Sequence, residues 1–421
     1  FGFQPIETPS FELSETLLGK YGEEGDRLIF KILNSGDKVK KADLQALEDG
    51  NLARFSNSLT EKALRYDLTV PFARYVAQYQ NDIVFPFKRF QIQPVWRADR
   101  PQKGRFQEFY QCDADVVGSK SLWQEVEFIQ LYDAVFSDLN LDGVTIKINN
   151  RKILAGIAEL IGAQDKLIDF TVALDKLDKI GAEKVKEEML KKGIPSDGIS
   201  KLEPLFDLSG EFSEQLQSLK RILSTSNEGL QGVEELEFIA SSVAAVGLQT
   251  AQLQMDVTLA RGLNYYTGAI FEVAAPESVQ MGSIGGGGRY DDLTGIFGLK
   301  DVSGVGISFG LDRIYLVLEE LNLFPSDQTQ STKVLFTNFG PSESLYSLKA
   351  ITTLRSKSIA AELYPDAAKL KKQMMYSNKR EIPFVVMVGE AEIQQNKYML
   401  KDMNSGEQQL LSLEELINIL S

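Results

Sequence analysis

The clearest alternation of apolar and polar positions begins at residue 87. The segments FKRFQIQPVWR (87–97) and FQEFYQCDADVVG (106–118) are rich in aromatic and β-branched residues, and Pro, Gly and charged residues separate them. This pattern predicts a long antiparallel hairpin with its loop at 98–105. In the next segment, 121–139, apolar residues recur every three or four positions, which predicts a helix.

The composition of the chain changes near its middle. Residues 1 to about 165 alternate short β-rich runs with helical ones, whereas 175–245 carries Lys/Glu-rich stretches such as GAEKVKEEMLKKG, with loop signals at GIPSDG and STSNEG. We expect an inserted helical module there. Because charge-laced helices are usually solvated, this pattern carries no functional conclusion.

Strand patterns resume at QLQMDVTLA, AIFEVAA and VGISFG and lead into a predicted helix over 311–321. The polar stretch 324–333 predicts a linker. Beyond it, strand and helix patterns alternate to the end of the chain, which is typical of a small α/β domain. We therefore expect two domains, at residues 1–325 and 332–421.

The composition is that of a globular protein, with 43% hydrophobic and 25% charged residues in 421. Apolar runs fall short of the roughly 18 residues that a membrane span needs, and no leader pattern is visible, so we expect a cytoplasmic protein. The single Cys112 excludes an internal disulfide framework. Because the chain begins at Phe1 without Met, we expect further residues to precede it.

The chain contains no histidine, which excludes Ser-His-Asp and Cys-His catalysis, an imidazole base and zinc sites with histidine ligands. Its formal net charge is −14, but charges are screened beyond about 8 Å at physiological salt, so a local basic patch still binds phosphate. Carboxylates, arginines, backbone dipoles or a metal held by substrate must carry the chemistry.

The predicted hairpin concentrates four cations between Arg97 and Arg105, and Arg suits bidentate phosphate recognition. Alternation along the second strand places an aromatic ring, an amide and two carboxylates on one face. These side chains belong to Phe109, Gln111, Asp113 and Asp115. The pattern indicates either a phosphate site or a solvated loop beside ordinary strand polarity.

Three more motifs follow in the second half of the chain. LARGLNYYTGAIFE places Arg261 before Tyr265 and Tyr266, which suits a small polar ligand or simple packing of the phenols. GSIGGGGRYDDL contains four successive glycines, which allow close approach of a ligand or form a turn. GVGISFGLDRIYL runs from a strand into a helix with Arg313 in its first turn, where a phosphate is favoured.

These motifs, in this order, resemble the signature of class II aminoacyl-tRNA synthetases, and their amino-acid sequences are similar to those of the histidyl-tRNA synthetase family. GFQPIETPSFE resembles the end of motif 1, FKRFQIQPVWRADRPQKGRFQEF motif 2, and GVGISFGLDRIYL motif 3. LARGLNYYTGAIFE and GGGGRYDDL resemble two peptides peculiar to the histidyl enzymes, and VVMVGEAEI resembles their anticodon domain. The resemblance implies an α+β catalytic domain on an antiparallel sheet, a helical insertion and a C-terminal α/β anticodon-binding domain.

The resemblance also implies an ATP site. Arg97 would lie on the α-phosphate and Phe109 on the adenine, while Arg105 and Arg313 would face the β- and γ-phosphates. Asp99 matches a position near the nucleotide. Mg²⁺ would arrive with ATP, and no dedicated metal site is expected.

Arg261 matches the arginine that the histidyl enzymes place beside the α-phosphate. Charge builds up there as the histidine carboxylate attacks, and a preorganised cation would lower the barrier. Because a carboxylate is already the nucleophile, the lack of histidine in the chain costs this mechanism nothing.

The histidine pocket implied by the resemblance hydrogen-bonds both ring nitrogens, which gives about 10⁴- to 10⁵-fold discrimination without editing. Asp67 and Asp115 stand where many bacterial enzymes carry Glu, and Asn264 replaces a common Asp. The matching positions are Asp67, Thr69 and Gln111 for the α-amino group, Asp115 and Tyr266 for the imidazole, and Tyr265 and Tyr290 for the wall.

The remaining partners implied are tRNA(His), met at its acceptor end by the loop around Gln102, and a second subunit joined through motif 1. The stretch 369–380, with five basic residues and no acid, would meet the anticodon or form a solvated helix face. The implied enzyme makes histidyl-adenylate from histidine and ATP and passes histidine to the 3′ end of tRNA. The alternative is a histidyl-synthetase-like regulatory subunit of ATP phosphoribosyltransferase, which usually lacks the anticodon domain and the ATP arginines.

Overall fold

The computed structural model describes residues 1–206, 208, 210–260, 265–325 and 332–421. The chain forms two compact units, Phe1–Leu323 and Phe324–Ser421. In the described residues of the first unit, eight strands form one mixed sheet in the order β1-β5-β6-β11-β10-β9-β7-β8, and three form a small sheet in the order β2-β4-β3. The strands are β1 Gln4–Pro5, β2 Phe11–Leu13, β3 Lys31–Ile32, β4 Lys62–Leu64, β5 Phe87–Trp96, β6 Glu108–Val117, β7 Thr145–Asn150, β8 Gln252–Met255, β9 Ala269–Ala274, β10 Gly285–Tyr290 and β11 Gly304–Gly310.

The predicted hairpin is confirmed. β5 and β6 pair antiparallel from Phe87 opposite Val117 to Trp96 opposite Glu108. β11 then pairs antiparallel with β6, and β10 with β11, so the centre of the sheet is antiparallel as the class II resemblance implies. The loop after β5 closes with a bridge between Gln102 and Arg105.

The glycine-rich segment is a central strand, and the alternative of a turn is wrong. β10 lies between β11 and β9, with Gly288 opposite Gly306. A Cβ on Gly287 would stand 2.2 Å from the Gly306 carbonyl oxygen, so glycine is required for this approach of the two strands. Because these residues lack side chains, the strand presents its backbone to the cleft above the sheet.

Helices cover the sheet of the first unit. In the predicted helix, Val126, Ile129, Tyr132 and Phe136 are buried as their spacing indicates, whereas Leu122 precedes the first turn. The helices are α1 Ser14–Leu17, α2 Gly22–Arg27, α3 Leu44–Glu48, α4 Leu52–Ser58, α5 Thr69–Gln78, α6 Trp123–Asp138, α7 Arg151–Leu160, α8 Leu167–Leu174, α9 Leu177–Ile180, α10 Ala182–Lys191, α11 Ser196–Ser200, α12 Glu203–Phe206, α13 Phe212–Ile222, α14 Asn227–Val246 and α15 Leu311–Glu320, with 3₁₀ helices at Gly36–Lys41, Gln164–Lys166 and Leu293–Phe297.

The second unit is an α/β domain with its own core, as its pattern predicts. Its sheet has the order β13-β12-β14-β15-β16, in which β12 pairs parallel with β13 and β14 and the last two strands run antiparallel. The strands are β12 Val334–Phe336, β13 Ala361–Leu363, β14 Phe384–Met387, β15 Tyr398–Asp402 and β16 Gln408–Leu411, and the helices are α16 Pro341–Ser356, α17 Leu370–Lys379, α18 Glu390–Gln395 and α19 Leu413–Leu420.

Candidate active site

A cleft of about 1510 Å³ opens on one face of the eight-stranded sheet. Its floor contains Phe109 and Gln111 of β6, the first glycines of β10 and Ser308 of β11, and Arg313 stands at its edge. Ile168 and Val172 of α8 also line the cleft and are exposed. Both the sheet and the helical region thus contribute polar and apolar side chains to the lining of the cleft.

Three of the arginines that line this cleft, Arg97, Arg105 and Arg313, form what we call the cation cluster. The Arg97 guanidinium lies 4.3 Å from the Tyr66 ring centre and 5.1 Å from that of Phe109, and its Nε donates to the Tyr66 carbonyl at 3.1 Å. Burial lowers the pKa of Arg313, and the charges of Arg105 and Arg97 lower it further. Mutual repulsion of this kind is relieved when a polyanion binds among the cations.

One of the carboxylates near the cation cluster is Asp99, whose Oδ1 lies 3.7 Å from Arg105 Nη1. Arg313 is fixed by two backbone acceptors, since its Nε donates to Gly104 O at 2.6 Å and its Nη1 to Ser283 O at 2.6 Å. The loop after β5 and the start of α15 are therefore tied together beside the cation cluster. Gln102 lies in the same loop and is exposed, and a backbone bridge joins it to Arg105.

Asp67 is buried and hydrogen-bonded by two phenols. Tyr21 donates to Oδ1 at 2.9 Å and Tyr265 to Oδ2 at 3.1 Å, and Val70 N–H also donates to Oδ1 at 3.1 Å. Burial raises the pKa of Asp67, while these hydrogen bonds oppose the rise. Thr69 interacts with the Tyr265 hydroxyl, so the predicted Asp67, Thr69 and Tyr265 are brought together.

Asp115 lies on the same face of β6, two positions from Asp113. Tyr290 donates its hydroxyl hydrogen to Asp115 Oδ1 at 2.7 Å, and Arg89 Nη2 stands 2.7 Å from Oδ2. Burial raises the pKa of Asp113 to about 7, and the charge of Arg89 limits that rise. Two acids and one cation therefore share a buried space beside the cleft.

Gln111 and Tyr266 connect these buried groups to the cleft. Gln111 Nε2 donates weakly to Ser308 Oγ at 3.4 Å, and its Oε1 is buried without a partner in the part of the chain described. Burial raises the pKa of Tyr266, and the charge of Asp115 adds to this, so its hydroxyl keeps its hydrogen and serves as a donor. An amide acceptor and a phenol donor thus face an incoming ligand.

The predicted Arg261 and Asn264 lie outside the described residues. Sequence reasoning missed other groups at the site, namely Tyr21, Arg89 and Arg151. Arg151 lines the cleft with an Nε that is buried and lacks a partner among the described residues, and burial lowers its pKa. The feature of the sequence that could have indicated Arg151 is its place directly after strand β7, in the segment INNRKIL.

The described residues contain no group of three or more His, Cys, Asp or Glu side chains that could hold a metal ion. Within the same ranges, no helix has the length and apolar character needed to cross a bilayer.

A largely antiparallel sheet with arginines and an aromatic ring lining a cleft and with buried carboxylates beside that cleft, together with a second α/β unit, is the architecture of a class II aminoacyl-tRNA synthetase. A family model described as histidyl-tRNA synthetase matches residues 47–314, and one described as anticodon binding domain matches 335–421.

Relatives of known name agree with this class. The chain is 69% identical over 416 residues to the histidine–tRNA ligase of Christiangramia forsetii, which covers 99% of the chain and 91% of that relative. It is 58% identical to that of Bacteroides fragilis over 100% of the chain and 92% of the relative. The crystal structure of histidyl-tRNA synthetase from Nostoc sp. PCC 7120 superposes with a TM-score of 0.79 at 31% identity, covering 100% of this chain and 91% of that one. This chain belongs to the histidyl-tRNA synthetase family.

Proposed function

We propose that this protein is an ATP-dependent histidine–tRNA ligase. A carboxylate oxygen of histidine attacks the α-phosphorus of ATP, the bond to the β-phosphate oxygen breaks, and histidyl-adenylate and pyrophosphate form. A terminal ribose hydroxyl of tRNA(His) then attacks the acyl carbon, and AMP leaves. The observation that carries this proposal is the cleft lined by the cation cluster, with buried carboxylates such as Asp67 close enough to feel the charge of Arg97, in a chain of this family.

The arginines bind the phosphates of ATP. Arg97 lies on the α-phosphate and Phe109 stacks on the adenine, while Arg105 and Arg313 face the β- and γ-phosphates. These residues support the assignment because their side chains line one cleft. Asp99 lies beside Arg105 and completes the nucleotide site. Arg261 supplies charge at the α-phosphate.

Histidine binds deeper, at the carboxylates. Asp67, Thr69 and Gln111 hold its α-ammonium group, which suits a buried anion whose oxygens have acceptor sites left. The other residues of the pocket are Asp115 and Tyr266 at the ring, with Tyr265 and Tyr290 in the wall. Two hydrogen bonds to the ring leave buried groups unpaired when another amino acid enters, so selectivity requires no editing step.

Mg²⁺ arrives bound to the phosphates of ATP and has no dedicated site on the protein. It supplies neutralisation of charge on the β- and γ-oxygens when it is bound. The residues facing those oxygens, Arg105 and Arg313, are cations and match phosphate oxygens rather than a metal. The enzyme works in the cytoplasm, where tRNA and ATP meet.

Amino-acid-dependent exchange of pyrophosphate into ATP tests this function. Histidine, and none of the other 19 common amino acids, is expected to support exchange, followed by charging of tRNA(His). Exchange with a different amino acid would disprove the specificity. Histidine binding without any exchange would favour the regulatory-subunit alternative, although the chain keeps both the ATP arginines and the anticodon-binding domain.

The tRNA is read by the loop at Gln102 and by the basic helix α17. Lys371 and Lys372 of α17 are exposed, and each lysine–phosphate contact contributes to the salt dependence of nucleic-acid binding. Lys371→Glu/Lys372→Glu is expected to raise KM for tRNA(His) about tenfold and to leave pyrophosphate exchange unchanged. Unchanged KM for tRNA would identify this surface as a solvated face.

The second copy of the chain covers the other face of β5 and β6. There an apolar groove of about 660 Å³ is lined by Phe90 and Ile92 of β5 and by residues of α6 and α15, and Ile92 is 52% exposed. Apolar surface on a sheet face is a marker of an interface. The motif 1 strand β1 pairs with β5 at the edge of this face, which supports dimerisation through motif 1.

Light scattering after gel filtration tests the homodimer. The wild-type chain is expected at twice its mass of 46.9 kDa, and Ile92→Asp is expected to shift it toward the monomer. Trp123→Asp, at an exposed apolar position outside this groove, is the matched control. A monomeric wild-type protein would overturn the proposal.

A further inference from the structure

A buried ion pair joins Arg89 to Asp115, the carboxylate that the proposed function places at the histidine ring, whereas Arg89 itself has no role in the reaction described above. The two residues stand directly opposite each other on β5 and β6, so their side chains share one face of the sheet. Arg89 Nη2 is 2.7 Å from Asp115 Oδ2, and the side chains are 0% and 2% exposed. The N–H does not point along the hydrogen-bond direction, so the contact is mainly electrostatic.

Asp115 is confined on its other sides as well. Tyr290 donates to Oδ1 at 2.7 Å from β10. Opposite, on β11, a Cβ on Gly306 would stand 2.0 Å from the same oxygen, so only glycine leaves room for the carboxylate. The position of Asp115 is thus set by one cation, one phenol and one missing side chain.

Arg89 is unlike the other fully buried arginine nearby. Arg65 braces the backbone, donating to Pro94 O at 2.9 Å and to Thr8 O at 2.6 Å. Arg89 Nε and Nη1 have no hydrogen-bond partner in the described residues, and its guanidinium lies 4.4 Å from the Phe72 ring centre. A buried cation is costly unless an anion compensates it, and its near anion is Asp115.

Without that cation, Asp115 would tend to take up a proton. Burial raises the pKa of Asp115, the charge of Arg89 and the Tyr290 hydrogen bond lower it, and the charge of Asp67 raises it. A protonated carboxyl is a poorer acceptor than a carboxylate. The donor to the second ring nitrogen is the phenol of Tyr266.

We propose that Arg89 is a positioning residue for amino-acid specificity, which holds the Asp115 carboxylate ionised and in place so that the pocket selects a neutral imidazole with one N–H and one bare nitrogen. The ring N–H donates to Asp115, and the bare nitrogen accepts from Tyr266. This inference rests on the proposed placement of the histidine ring at Asp115.

Pyrophosphate-exchange kinetics of Arg89→Met, Arg89→Lys, Asp115→Asn and the double variant test the proposal. Arg89→Met is expected to raise KM for histidine about 10²-fold with KM for ATP within about twofold, and Arg89→Lys is expected to recover most of the loss. In the Asp115→Asn background, Arg89→Met is expected to change KM for histidine less than about threefold, because the carboxylate through which it acts is gone.

A pH profile separates this role from a structural one. The ratio of KM for histidine in Arg89→Met to that in wild type is expected to rise as pH falls from 8.5 to 6.5, because the carboxylate without its cation protonates. Titration of the substrate ring cancels in the ratio. The charged and titratable groups that interact with Asp115 are Arg89, Asp113, Asp67, Tyr290 and Tyr266.

Arg74→Met is the matched control, since the Arg74–Glu12 pair, at 2.8 Å, is also largely buried. It is expected to lower stability and to leave both KM values unchanged. Equal rises in KM for histidine and ATP, or a ratio independent of pH, would overturn the proposal for Arg89. If Arg89→Met does not fold by circular dichroism, the double variant decides, because a KM for histidine well above that of Asp115→Asn alone contradicts the proposal. An unchanged KM in Asp115→Asn would instead reject the placement of the ring.

Discussion

Arg313 Nε donates to the Gly104 carbonyl at 2.6 Å, which joins the first turn of α15 to the loop after β5. The same guanidinium holds Ser283 O at 2.6 Å, ahead of β10. One side chain thus fixes three segments around the proposed phosphate site. Its charge and its geometry are both needed there, because a phosphate site works by donors held in place before the ligand arrives.

Arg313→Met is expected to lower kcat/KM for ATP about 10²- to 10³-fold in pyrophosphate exchange, because charge and loop position are lost together. KM for histidine is expected to change less than about threefold. Glu319→Gln, at an exposed position near the far end of the same helix, is the control and keeps wild-type kinetics. An equal loss for both substrates would show that the variant has disturbed the whole cleft.

Arg261→Ala is expected to slow adenylate formation by several kcal/mol of barrier, about 10³-fold or more, while histidine binding weakens far less. The physical reason is that a cation beside the α-phosphate interacts most strongly with the charge of the transition state. Single-turnover kinetics and equilibrium binding of histidine measure the two quantities. Equal losses in both would make Arg261 a binding residue.

Gly306→Ala is expected to weaken histidine binding at least about tenfold, since the new methyl would stand 2.0 Å from Asp115 Oδ1 and must displace it. Gly295→Ala provides a matched control because a Cβ there meets nothing within 4 Å. Calorimetric titration with histidine compares the two variants. Wild-type affinity in Gly306→Ala would mean that the position of Asp115 does not matter for binding.

Asp113 makes stability depend on pH. Burial, opposed by Arg89, raises its pKa to about 7, whereas an unfolded Asp titrates near about 3.9. Between these values the folded state holds a proton that the unfolded chain has lost, so stability falls as pH rises through this window. Asp113→Asn removes the decline, and relative to wild type it is expected to gain about 2 kcal/mol in unfolding free energy between pH 5 and 7.

Urea unfolding at several pH values measures this difference. The exposed Asp142→Asn serves as the control and is expected to show no such trend. A constant difference between Asp113→Asn and wild type across the range would contradict a raised pKa at this position.

The β5–β6 hairpin, the helix after it and the α/β character of the second unit could be predicted because apolar periodicity reports burial on one face. The glycine strand could not be predicted from the same signal. Four glycines carry no side chains whose pattern could indicate a face, and only their pairing with β11 and β9 on either side makes them a strand.

Strand β5 shows why part of the site was missed. Along it Arg89 and Gln91 are buried, while Phe90 and Ile92 are exposed, the reverse of ordinary burial. A strand with one polar face turned into a site and one apolar face turned outward cannot be oriented by hydrophobicity alone. The partners of Asp115 and Asp67 are set by pairing across the sheet and by distant tyrosines, so no local motif predicts them.

The glycines of β10 also limit how this enzyme can be redesigned. Any substitution there adds at least a methyl group, and at Gly287 it would meet backbone 2.2 Å away on β11. Randomising these glycines in order to charge tRNA with enlarged histidine analogues is therefore expected to disturb the sheet before it enlarges the pocket. Ile168 and Val172 also line the cleft, and because both are exposed, a mutant library at these two positions is expected to change the shape of the cavity at little cost to the packing of the sheet.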